Sequence, residues 1–227
     1  MSATAYIALG SNRGDRRAYL DQALDALRQR PGIAVTKVSS YHETEPVGGP
    51  PGQGKYLNAA AELQTDLPPR ELLQALLDIE QSLGRVRIEQ DAPRTIDLDL
   101  LLHGDMVVNE PDLVVPHPRM HERPFVLLPL EEIAPQAMHP IRKVTVTEEA
   151  EHDRLHHHAH EVYDALAECL TKLNDVLKTL LRNPHPRKRQ HLERARKKLE
   201  EEKKDLEKRL EDLKDRLHAI HERCGEH

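Results

Sequence analysis

Tryptophan is absent from this chain, phenylalanine occurs once, and cysteine occurs twice among 227 residues. The two cysteines, Cys169 and Cys224, are far apart and have neither CxxC nor metal-type spacing. That argues against a disulfide scaffold and suits a reducing compartment. No apolar run approaches the length of a membrane span. The formal net charge is -6, so the molecule as a whole has no reason to gather on nucleic acid or an anionic membrane. The opening residues lack a basic leader and read as a first strand rather than a signal peptide. A soluble cytoplasmic protein is the expectation.

What is present changes character near residue 141. Almost all the proline, glycine and β-branched residues lie before it, and a Leu/Glu/Lys/Arg/His-rich sequence follows. We place the boundary in 140–148 and expect two domains, 1–143 and 144–227. In the first, Ala5 to Gly10 reads as a strand, and Asp15 is an expected N-cap for a helix through Leu20, Leu24 and Leu27. Ile33 to Thr44 is β-rich, and Tyr56 to Thr65 is another strand. Glu71 to Leu83 is an amphipathic helix closed by Gly84, and Thr95 to His103 alternates cleanly as a strand. The order β-α-β-β-α-β predicts an α+β fold, a ferredoxin-like sandwich with a mainly antiparallel sheet.

In the second domain, Leu155, Ala159, Val162, Leu166, Cys169, Leu173, Val176 and Leu180 step alternately by four and three, as do Leu206, Leu210, Leu213, Leu217, Ile220 and Cys224. A proline-bearing loop, residues 182–187, separates the two series. These are heptad seams of a long antiparallel helical hairpin, a coiled coil starting near Thr147. With the turn near residue 185, Cys169 lies beside residues near 201. Leu170, Leu177 and Leu181 widen the apolar stripe and suggest a surface for a second copy or another protein. His152, His156 and His160 have i, i+4 spacing, which can bind zinc, but a solvated helix face is the simpler reading.

The strongest chemical signal is Pro93-Arg94-Thr95-Ile96-Asp97-Leu98-Asp99-Leu100-Leu101-Leu102. In a strand, Ile96, Leu98, Leu100 and Leu102 face a core and both aspartates face away, about 7 Å apart. Paired carboxylates need a cation between them, and magnesium suits them because it takes one or two carboxylates together with substrate phosphates. A solvated polar face is the alternative. Arg85, Arg87 and Arg94, with Arg119 and Arg123, weigh against it, since guanidinium forks bind phosphate oxygens. His117 sits in a proline-fixed loop. Phe125 and Tyr56 lie near polar motifs in a chain poor in rings and suggest a stacking slot for a flat heterocycle, with plain core packing as the alternative. Asn58 shares the strand face of Tyr56 and has a carboxamide able to pair with a heterocycle edge.

Six motifs in this order carry a family resemblance: Tyr6-Ile7-Ala8-Leu9-Gly10-Ser11-Asn12 with Gly14-Asp15; Thr44-Glu45-Pro46-Val47-Gly48; Tyr56-Leu57-Asn58-Ala59-Ala60; Gly84-Arg85-Val86-Arg87; the paired-aspartate segment; and Val115-Pro116-His117-Pro118-Arg119-Met120 with Arg123 and Phe125. From about residue 4 to about residue 140 the chain resembles the 6-hydroxymethyl-7,8-dihydropterin pyrophosphokinases of folate biosynthesis. The resemblance implies transfer of diphosphate from ATP to a reduced hydroxymethylpterin, with two magnesium ions on Asp97 and Asp99. It implies a pterin site of Thr44, Pro46, Val47, Gly48, Tyr56, Asn58 and Phe125. It places Glu80, Arg87, Ile96 and His117 near the nucleotide, and Arg85, Arg94, His117 and Arg123 at the catalytic centre. Loops around 11–15, 48–55 and 85–94 would close over the substrates. Two departures stand out. Asp91-Ala92 replaces a tryptophan-glycine pair often found before the Pro-Arg, and the helical hairpin replaces the usual short ending. The rival reading is a catalytically inactive or engineered kinase-like domain carrying a helical interaction arm. Retention of both aspartates, His117 and the arginines argues against it.

Overall fold

The structure, a computed structural model, describes residues 2–48, 50, 52–85, 93–182 and 184–224, without the side chains of residues 223 and 224. It divides into two compact units, Met1–Ala150 and Glu151–His227. Among the described residues no helix is long and apolar enough to cross a membrane.

The first unit runs β1 (Ala3–Ser11), α1 (Arg16–Gln29), β2 (Ile33–Val38), β3 (His42–Thr44), β4 (Tyr56–Thr65), α2 (Pro69–Ser82), β5 (Asp97–His103), β6 (Val108–Glu110), β7 (Leu113–Val115) and α3 (Pro124–Ile133). Asp15 caps α1 by accepting the Ala18 N–H at 3.1 Å. Helix α2 begins on Pro69, whose missing N–H costs nothing in a first turn. The sheet order is β2-β4-β1-β5, with β3 also on β4, and every pairing is antiparallel. This is the expected ferredoxin-like arrangement. The β-rich stretch from Ile33 to Thr44 is interrupted at 39–41, where Ser39 gives its N–H to the Ala60 carbonyl and its hydroxyl oxygen accepts the Ala60 N–H. A side chain there replaces a rung of the ladder.

One sheet face packs on α1 and α2 through Ile7, Leu9, Leu63, Leu98 and Leu100 against Leu20, Leu24, Leu72 and Leu76. The other face packs Ala8, Ala60, Leu101 and Leu102 against Met120, Val126 and Leu130. Leu102 therefore does not share the core face of Ile96, Leu98 and Leu100, as strict alternation predicts. Tyr6 pairs with Leu102 and Ile7 with Leu100, which leaves Leu101 as an extra residue. That bulge turns the rest of β5 over.

Helix α4 (Val146–Leu181) and helix α5 (Pro186–Cys224) form the hairpin. The start of α4 is a capping box two residues before the expected Thr147: Glu148 N–H donates to the Thr145 hydroxyl at 3.3 Å, and Glu148 accepts the Thr145 N–H at 2.9 Å. In the second unit the seam buries Leu155, Ala159, Val162 and Cys169 against Leu206, Leu210, Leu213 and Ile220. The Cys169 thiol lies 3.4 Å from the Leu199 carbonyl, close to the expected register.

Candidate active site

Small residues on β1 and β4 let α3 lie on one end of its sheet face, over Ala8 and Ala60. At the other end the register sets Asp97 opposite Gly10, Gly10 opposite Asn58, and Asn58 opposite His42, a polar row across four strands. Asp99, opposite Ala8, is one step along. Gly10 gives the centre of this row its room. A Cβ there would sit 3.1 Å from Asn58 Oδ1 and 4.0 Å from the Asp97 Cβ.

Arginines surround the acidic pair. Asp97 Oδ1 is 2.6 Å from Arg85 Nη1, Asp97 Oδ2 is 2.7 Å from Arg94 Nη1, and Asp99 Oδ2 is 3.3 Å from Arg123 Nη1. Glu80 is buried beneath them. It pairs with Arg85 and accepts the Leu98 N–H at 2.7 Å, between the two aspartates. Burial first, then the negative charge of Asp97, pushes the Asp99 carboxyl up to about 6, despite Arg123, Arg85 and Arg94. His117 is pushed down to about 4 by burial and by the charges of Arg123 and Arg119. Its Nδ1 accepts the Arg119 N–H at 3.2 Å. At neutral pH the ring proton is therefore on Nε2, available for donation.

Thr44 and Asn58 are joined, Asn58 Nδ2 donating to the Thr44 hydroxyl at 2.8 Å. Tyr56 opens β4 opposite Thr44. Phe125, half-buried in the first turn of α3, has the Arg123 guanidinium 5.7 Å from its ring centroid. Glu132 on α3 accepts the Ser40 hydroxyl at 2.7 Å and lies 2.6 Å from His42 Nε2, tying the β3 strand that carries Thr44 to the helix that carries Phe125. Pro46, Val47 and Gly48 continue from β3 as a loop, with Val47 77% exposed. Ile96 is fully buried in the core, main chain included, so the structure leaves no surface of it open to the nucleotide expected there. Arg87 lies outside the described residues, as do the other residues of 86–92.

Sequence reasoning quoted Asn12 only within a motif and gave it no role of its own. It is buried. Its Oδ1 accepts the Arg94 N–H at 2.8 Å, and its Nδ2 donates to Gln53 at 3.0 Å, while Gln53 donates to the Gly48 carbonyl at 3.2 Å. One asparagine thus joins the loop after β3 to the segment entering β5. Its bonds reach 41 and 82 residues along the chain, where local patterning gives no signal.

Among the described residues no three His, Cys, Asp or Glu side chains are grouped to hold a metal ion. The donor set nevertheless suits magnesium, which takes few protein carboxylates and completes its shell with water and phosphate. The Asp99 carboxyl, pushed up first by burial and then by the charge of Asp97, is one whose ionised form an added cation would favour.

Solved structures speak to the fold. The chain superposes on wild-type Plasmodium falciparum HPPK-DHPS with a TM-score of 0.53 at 15% identity, covering 66% of this chain and 44% of that one. It spans less than half of such chains, and at that identity the likeness concerns the fold alone. Sequence relatives go further. The 2-amino-4-hydroxy-6-hydroxymethyldihydropteridine pyrophosphokinase of Bacillus subtilis is 52% identical over 136 residues, 60% of this chain and 81% of the relative. The Synechocystis protein of the same name is 44% identical over 136 residues, 60% of this chain and 69% of the relative. The 7,8-dihydro-6-hydroxymethylpterin-pyrophosphokinase (HPPK) family matches residues 6–135, and this chain belongs to that family.

Proposed function

We propose that this chain transfers the terminal diphosphate of ATP to the hydroxymethyl group of 6-hydroxymethyl-7,8-dihydropterin, releasing AMP, as a step of folate biosynthesis. The observation that carries the reading is the pair Asp97 and Asp99, set on the open end of a sheet face and ringed by Arg85, Arg94 and Arg123. The substrate hydroxyl attacks the β-phosphorus in line and AMP leaves. Such transfers gain mainly from positioning and charge stabilisation, so no strong base is needed. Arg85, Arg94 and Arg123 hold phosphate oxygens, and His117 donates its Nε2–H to one of them. Glu80 fixes Arg85 and the Leu98 main chain. Thr44 and Asn58 meet the pterin edge, with the main chain of Pro46, Val47 and Gly48. Tyr56 and Phe125 cover its faces. Asp97 and Asp99 would hold two magnesium ions, which supply charge neutralisation for the polyphosphate when bound.

A coupled assay for AMP, run with and without the pterin, tests this. AMP formation that requires the pterin is expected. Its absence under saturating ATP and magnesium would favour the inactive-domain reading.

We take residues 1–143 as the kinase domain and 144–227 as an extension, and place the enzyme in the cytoplasm. Tyr163, Leu170, Leu177 and Leu181 are exposed on α4, which supports an interaction or dimerisation arm. Light scattering at high micromolar concentration checks it, and a monomer there counts against self-association.

A further inference from the structure

The histidines of the hairpin are not spread evenly. His152, His156, His157, His158 and His160 occupy the early turns of α4, and His218 and His221 the late turns of α5. His152 continues the seam of Leu155 one step back, so it faces the partner helix rather than solvent. There it meets His221, with the two Nε2 atoms 3.2 Å apart and the rings edge-to-face at 5.0 Å between centroids. Glu151 and Arg216, 3.6 Å apart, cross the helices beside them.

We propose that this end of the hairpin binds a divalent transition-metal ion of the zinc type between His152 and His221, with His156 as a third imidazole. Two nitrogens each about 2.0–2.1 Å from one tetrahedral ion lie about 3.3–3.4 Å apart, close to the separation found here. The described residues contain no ready group of three ligands. The site is therefore half-built, with His152 and His221 in place. His156 follows His152 by one helical turn, with its ring centroid 6.0 Å away, and reaches the ion by a side-chain rotation. Neutral imidazoles select zinc, nickel or copper over magnesium. With no ion present, one of the facing nitrogens carries a proton and donates it to the other. Metal binding replaces that hydrogen bond: the donating ring carries its proton on Nδ1 instead, so both Nε2 lone pairs point at the ion. The bound ion fastens α4 to α5 where the hairpin has no covalent turn.

The test is calorimetric titration of the full chain with zinc chloride, with magnesium present, on wild type, H221A, H221Q, H152A, H156A and H157A. Circular dichroism confirms that each variant keeps its helices. Expected is one zinc equivalent more in wild type than in H221A, H221Q or H152A. H156A should weaken that equivalent by about tenfold or more, a usual size for disturbing a metal shell. H157A should match wild type, since its side chain is 79% exposed and faces Glu161. The same number of equivalents in H221A and H221Q as in wild type, or no zinc bound by wild type beyond that of H152A, would overturn the proposal.

Discussion

Two ends of one sheet face meet opposite fates. At the end under α3, Ala8 and Ala60 leave room for Val126 and Leu130, and the face is sealed by apolar contact. Toward the other end the same strands present Gly10, Asn58 and Asp97, with Asp99 beside Ala8 and arginines around the acids. The period of two carries both patterns, since Ala8 and Gly10, Ala60 and Asn58, and Asp97 and Asp99 all lie on that face. On the proposed function, stability is concentrated at one end and chemistry at the other. Substitutions should separate the two.

The largest effect should come from the open end. Asp97→Asn or Asp99→Asn should lower kcat by several orders of magnitude while the thermal midpoint moves little, read by the AMP assay beside a melting curve. At the covered end, Leu130→Ala should cost about 2–5 kcal/mol of stability, as deleted core methyls do, and leave turnover per folded molecule unchanged. Denaturant melts with activity normalised to folded protein check this. A parallel loss of kcat would erase the distinction between the ends. Phe125→Ala should weaken pterin binding by about 1–3 kcal/mol, the size of comparable base–aromatic stacking, measured by calorimetry. Gly10→Ala should weaken it by a smaller amount, because the new Cβ meets Asn58 Oδ1 at 3.1 Å and pushes the carboxamide off Thr44.

A separate effect concerns acid. His139 is buried beyond α3, its Nδ1 accepting the Ile141 and Arg142 N–H groups, and burial with the Arg142 charge pushes it down to about 4. The unfolded chain then binds a proton there before the folded one does. Stability is complete above the ordinary histidine value and falls as pH drops from about 6.5 toward about 4. Melts of wild type and His139→Asn across that window should converge at low pH, with wild type losing more.

Much of this was legible in the sequence. The element order predicts the ferredoxin-like sheet. The alternation around Asp97 and Asp99 puts both on the face away from Leu98 and Leu100, and the structure has them there. The heptad steps predict the buried Leu155, Ala159, Val162, Cys169, Leu206, Leu210, Leu213 and Ile220, whereas Leu166, Leu173, Val176, Leu180 and Leu217 are half-buried and the side chain of Cys224 lies outside the described residues. The rest was hidden for physical reasons. Leu100-Leu101-Leu102 carries no contrast between faces, so the bulge at Leu101 leaves no trace in hydrophobicity. Thr145 and Thr147 both precede acidic residues, and only hydrogen-bond geometry shows that Thr145 with Glu148 starts α4. The hold of Asn12 on Gln53 and Arg94, and of Glu132 on Ser40 and His42, depends on residues brought together by the fold.

The central claim is that the aspartates at the open end receive the nucleotide's metal. Calorimetric binding of a non-transferable ATP analogue, with and without magnesium, to wild type and to the Asp97→Asn, Asp99→Asn double variant addresses it most directly. Magnesium should tighten binding strongly in wild type and hardly at all in the double variant. Equal magnesium dependence in the two proteins would contradict the account.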